Sequence, residues 1–68
     1  MATLNPYLKS DARFIQHKLQ ALGLYRGKID GIWGRGSTSA LRQFKAIRGL
    51  PNLPEWDQTT QDALLSSN

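Results

Sequence analysis

Residues 11–24 read DARFIQHKLQALGL, and the spacing within this stretch decides the fold. Ala12, Ile15, Leu19 and Leu22 recur at three- and four-residue steps, which places them on one stripe of a helix from Asp11 to Leu22. Ser10 stands where an N-cap hydroxyl would accept a backbone N–H, and Asp11 puts negative charge at the positive end of the helix dipole. Gly23 supplies a left-handed position that ends the helix, with Leu24 placed for the apolar contact of a Schellman-type stop.

The same period returns at Ala40, Leu41, Phe44 and Ile47, followed by Gly49, and predicts a helix from Thr38 to Arg48 with Ser37 as its N-cap. Arg42, Lys45 and Arg48 fall away from that apolar stripe and are expected to form a basic, solvated outer face. A third, shorter helix is predicted from Thr60 as N-cap, Asp62 in the first turn, and Ala63, Leu64 and Leu65. The expected architecture is all-α: three helices joined by two structured loops.

Between the first two helices, Gly23 to Ser37 read GLYRGKIDGIWGRGS, so the connection is rich in glycine and anchored by Ile29, Ile32 and Trp33. Such a segment folds as successive turns, and a loop of this length that carries its own apolar anchors is more often functional than incidental. The second connection, Leu50 to Thr59, carries Pro51, Pro54 and Trp56 and does the same in fewer residues. The two halves read as copies. Leu22-Gly23-Leu24 answers Ile47-Arg48-Gly49-Leu50, Trp33 answers Trp56, Ser37 answers Thr60, and Leu41 answers Leu64. The repeating unit is helix, structured loop, capped helix, and two such units share the middle helix.

Size and composition bound the function. Sixty-eight residues with 40% hydrophobic content and no cysteine make one small domain without disulfides or thiolate metal sites. A chain this short buries only about 60% of its unfolded surface, so no large internal active site is expected. The longest apolar runs, such as Ala63-Leu64-Leu65, are far short of a bilayer span, and residues 1–10 lack the basic start and apolar stretch of a secretory signal. His17 has no second imidazole or thiolate with which to build a zinc site. Four of the five acids, Asp11, Asp30, Glu55, Asp57 and Asp62, sit in turns or first helical turns where carboxylates have local work, which argues against a glycosidase pair. The net charge of +4 and a pI of about 10.0 admit a nucleic-acid reading. A helix-turn-helix needs a turn of about 3–4 residues, however, and the first connection is too long for it. A protein-docking module remains open on the same fold.

The ordered set of motifs resembles the three-helix peptidoglycan-binding domain family of bacterial and phage cell-wall hydrolases. Ile15 to Leu24 looks like that family's L-Q-x-x-L-x-x-L-G-aromatic run, with Ile15 and Leu24 as apolar replacements. Tyr25 to Gly34 is similar to its Y-x-G-x-x-D-G-x-F-G loop, with Trp33 in the aromatic position. Ser37 falls on its hydroxyl cap, Ala40 to Lys45 on A-V-x-x-F-Q, and Gly49-Leu50 on G-L. The match runs from Ala12 to Leu64. The second loop departs from the family's D-G-x-x-G turn, reading Asn52-Leu53-Pro54-Glu55-Trp56-Asp57, and must turn through proline and Asx-type bonding.

The resemblance implies a non-catalytic domain at residues 11–65, an N-terminal extension at 1–10 and a tail or linker start at 66–68. It implies peptidoglycan, as glycan or stem peptide, as the partner, with an attached or associated hydrolase such as an endolysin or autolysin. No cofactor, metal, nucleic acid or membrane insertion is expected, and the chain is expected to be a monomer. Its place of action would be the cell wall or periplasm, reached from the cytoplasm by release. The limits at Met1 and Ser66-Ser67-Asn68 are read as those of an N-terminal module or a piece of a larger hydrolase. The candidate ligand residues are Tyr25 and Trp33 as aromatics, Arg26, Lys28, Arg35 and Arg42 as cations, and Asp30 and Gly31 in the turn. Trp33 reads first as a packing anchor in so small a core and Asp30 first as an Asx turn closing on its own backbone, with ligand contact as the alternative for each. The expected groove is bordered by Tyr25 to Arg35 and the start of the second helix.

Overall fold

A stripe of apolar residues on each of three helices closes around one core. The computed structural model describes residues 3–66, which form α1 (Lys9–Ala21), α2 (Arg35–Ile47) and α3 (Gln58–Leu65), with no strand among the described residues. Ala12, Ile15 and Leu19 of α1, Ala40, Leu41 and Phe44 of α2, and Leu64 of α3 are buried, with Phe44 the largest fully buried side chain. Leu4, Leu22, Leu24, Ile29, Trp33, Trp56 and Ala63 pack around them, half-buried. The all-α, three-helix fold read from the sequence is the fold observed.

Both expected helix stops are present. Gly23 and Gly49 adopt φ of 78° and 71°. After α1, Gly23 N–H donates to the Gln20 carbonyl and Leu24 N–H to the Leu19 carbonyl; after α2, Gly49 N–H donates to Ala46 and Leu50 N–H to Lys45. These are paired Schellman motifs, which use the left-handed glycine to satisfy the last carbonyls of each helix. The pseudo-repeat extends to the helix starts. Gly34 caps α2 and Asp57 caps α3, each directly following its tryptophan, Trp33 or Trp56.

The predicted N-caps are wrong in all three helices. Ser10 lies inside α1, whose cap is Leu8 with no side-chain bond. Ser37 and Thr60 each lie three residues past the true cap, turned inward and buried. At α3 the cap is Asp57, whose Oδ1 accepts from both Thr60 N–H (2.8 Å) and Thr60 Oγ1 (2.6 Å). Asp62 consequently sits beyond the first turn, where its Oδ1 accepts from Gln58 Nε2.

Two further expectations on α2 fail. Ile47, placed on the apolar stripe, is the last residue of α2 and is 68% exposed. Lys45, placed on the basic outer face, is only 3% exposed, and its Nζ donates to the Glu55 carbonyl. The aliphatic stem packs while the ammonium ties the second loop to α2, which leaves Arg42 and Arg48 as the exposed members of that set. Ahead of α1, Pro6 is buried, and the segment from residue 3 lies against α3 through Thr3 Oγ1 to Gln58 Oε1 (2.7 Å) and Leu4 N–H to Gln61 Oε1 (2.5 Å). The residues at either end of the extension and tail, 1–2 and 67–68, lie outside the described residues.

Candidate functional site

The first loop is built on one buried side chain, Gln16 of α1. Its Nε2 donates to Ser37 Oγ (2.9 Å), the Ile32 carbonyl (3.0 Å) and Asp30 Oδ1 (3.3 Å), and its Oε1 accepts the Gly31 N–H (3.0 Å). Both ends of the amide are therefore satisfied, as a fully buried polar group requires. Gln16 is not among the site residues expected from the sequence. Its signal was positional: it shares the α1 stripe with Ala12, Ile15 and Leu19, so a polar residue there had to find partners inside the protein.

Asp30 and Gly31 are spent on this architecture. Asp30 Oδ1 accepts the Ile32 N–H at 2.9 Å, closing the Asx turn. That backbone bond, with help from Gln16 and the nearby Lys28 charge, holds the carboxyl below its ordinary value against the opposing effect of desolvation. Gly31 has φ of 78° and approaches α1 so closely that a Cβ would lie 2.8 Å from the Lys9 carbonyl oxygen. Its N–H already belongs to Gln16, so the backbone donor expected to be open to a ligand is occupied.

Tyr25 is a correction of the same kind. Expected as a ligand-facing aromatic, it is 7% exposed, belongs to the core cluster, and donates its hydroxyl to the Lys28 carbonyl at 2.5 Å. The ring folds the loop back on itself and leaves no face for a ligand. Arg26 and Lys28, flanking it, are exposed.

The remaining candidates meet on two adjoining surfaces. Arg35 and Arg42, two turns apart on α2, line a shallow depression of about 420 Å³ together with Thr38 and Ser39. Trp33 lines a larger cleft of about 510 Å³, shared with Trp56 from the second loop. Thr38 borders both. Of the stretch expected to border a groove, residues 25–35, only Trp33 and Arg35 line these hollows; Arg26 and Lys28 line neither, whereas Trp56, Tyr7 and Thr38 enter unforeseen. Trp33 is half-buried, packing on the core with part of its surface and lining the cleft with the rest. Among the described residues no cluster of three His, Cys, Asp or Glu side chains could hold a metal ion, and no helix is long and apolar enough to cross a membrane.

The chain is similar to known proteins over most of its length. The family described as "Putative peptidoglycan binding domain" matches residues 9–64, from the first residue of α1 to the last core residue of α3. A spore cortex-lytic enzyme of Oceanobacillus iheyensis is 43% identical over 54 residues, covering 79% of this chain and 20% of the relative. One from Bacillus cereus is 46% identical over 37 residues, covering 54% of this chain and 14% of the relative. The chain thus spans a fifth or less of the length of these enzymes. No solved structure matches it.

Proposed function

This chain belongs to the peptidoglycan-binding domain family, and on that premise we propose that it is a non-catalytic module that holds a cell-wall hydrolase on its polymer. The observation that carries the reading is the family loop, folded onto Gln16, with Trp33, Arg35 and Arg42 presented at its exit. Peptidoglycan offers sugar faces, amides and stem-peptide carboxylates. The two arginines supply bidentate partners for carboxylates, and the tryptophan supplies an apolar face. Arg26 and Lys28, exposed on the same loop, add positive charge that draws an anionic polymer toward it. Asp30, Gly31 and Tyr25 support binding by fixing the loop.

The module acts through effective concentration. A weak contact with an insoluble polymer keeps an attached or associated catalytic domain near its substrate without contributing to bond cleavage. The spore cortex-lytic enzymes among its relatives are of the kind that would gain from such an anchor. The isolated chain is expected to sediment with purified sacculi and to release no soluble fragments. A protein that stays in the supernatant across several wall types overturns the binding reading, and a fall in turbidity or a rise in reducing ends overturns the non-catalytic one.

A further inference from the structure

We propose that the cleft between Trp33 and Trp56 is a saccharide subsite for an uncharged N-acetylhexosamine ring of the glycan strand, with carboxylates of the attached peptide met next door by Arg35 and Arg42. The inference rests on the wall-binding reading and goes further by dividing the ligand between two surfaces.

The lining of the cleft sets its ligand class. A pyranose ring has apolar C–H faces and a polar rim, and it needs flat apolar walls with a few hydrogen-bonding groups at the edge. Trp33 and Trp56 provide the walls, Pro6 and Pro54 extend them, and Tyr7, 81% exposed, stands at the margin with its ring free to cover a bound sugar. At about 510 Å³ the cleft falls within the range of small-ligand sites, about 300–1,000 Å³.

Two features favour a neutral sugar over a peptide carboxylate. Among the described residues the one charged side chain lining the cleft is Glu55, which repels anions, whereas the depression on the other side of Thr38 is lined by two arginines. The Trp56 Nε1–H is shielded from water and has no hydrogen-bond partner among the described residues. A buried donor in this condition is unfavourable. A sugar hydroxyl or N-acetyl carbonyl supplies the acceptor that no protein group does, once the half-buried ring adjusts toward the cleft. The pseudo-repeat accounts for the pair: each tryptophan directly precedes the cap of its helix, and both line the same cleft.

The test follows the two indole N–H signals by NMR while the protein is titrated with tetra-N-acetylchitotetraose, which has no peptide and no charge, and separately with the free stem peptide. Sedimentation with sacculi is run in parallel. Shifts of both indoles with the tetrasaccharide are expected, and Tyr7→Ala is expected to weaken that binding about fivefold, roughly 1 kcal/mol, with an unchanged melting curve. Because Trp56→Ala is liable to unfold so small a core, the exposed Tyr7 carries the mutational arm. Indoles that stay silent to the tetrasaccharide, or that move only with the stem peptide, while the protein still sediments, overturn the saccharide subsite and leave wall binding standing. Failure to sediment overturns both.

Discussion

The Gln16 amide reaches Ser37 Oγ at 2.9 Å and so joins the buried face of α1 to the first turn of α2, with the whole first loop folded between them. Four hydrogen bonds converge on one side chain whose neighbours on the helix are apolar. Gln16→Ala would leave the Gly31 N–H and the Ile32 carbonyl without this partner. Unpaired buried groups cost about 1–3 kcal/mol each, so a loss of roughly 2–3 kcal/mol is expected. Thermal melting checks it, each 1 kcal/mol being worth about 4–8 °C in a domain of this size.

Gly31→Ala is expected to destabilise by roughly 2 kcal/mol or more, since it combines a left-handed backbone with a Cβ pressed against the Lys9 carbonyl. Gly34→Ala serves as the comparison, because open space surrounds that position and its φ is −118°. Equal melting temperatures for the two variants would show that the loop does not need its close approach to α1.

Acid should loosen the first loop and the start of α3 together. Asp30 is held below the ordinary value of 3.8 mainly by the Ile32 N–H, and Asp57 mainly by the Thr60 hydroxyl, then by its N–H. A carboxyl whose folded value is lowered binds its proton more readily when unfolded. Its contribution is therefore complete above the ordinary value and is lost as pH falls through the lowered one. Melting temperature followed from about pH 5 to about pH 2 should fall, and the slope should be shallower in Asp30→Asn and Asp57→Asn. An unchanged slope in both would remove these carboxylates from the acid response.

Charge removal on α2 should separate structure from binding. Lys45→Ala breaks the tether to Glu55 and opens space beneath the second loop, for an expected loss of about 1–3 kcal/mol in urea unfolding. Arg35→Ala and Arg42→Ala, both exposed, should change stability by no more than about 0.5 kcal/mol while weakening sedimentation with sacculi. Weakened binding in Arg48→Ala with Arg35→Ala and Arg42→Ala unaffected would move the ligand off the proposed surface.

Features that depend on near neighbours in the chain were legible in the sequence. The apolar stripes of α1 and α2 follow from helical periodicity, and the paired stops at Gly23 and Gly49 follow from the need for a left-handed residue after the last turn. The pseudo-repeat and the Asx turn at Asp30 are equally local. Tertiary structure alone decided which polar groups turned inward. Ser37 and Thr60 are good capping residues, yet both sit inside the first turn. A hydroxyl that can bond across the core to Gln16, or back to a capping Asp57, satisfies more buried groups there than it would at the helix end. The same competition buried Lys45, whose aliphatic stem fills space under the second loop, and Tyr25, whose hydroxyl finds the Lys28 carbonyl. It also created the cleft, because Trp33 and Trp56 come to line one hollow only when both loops close over a common core, a distance in sequence that no periodicity spans.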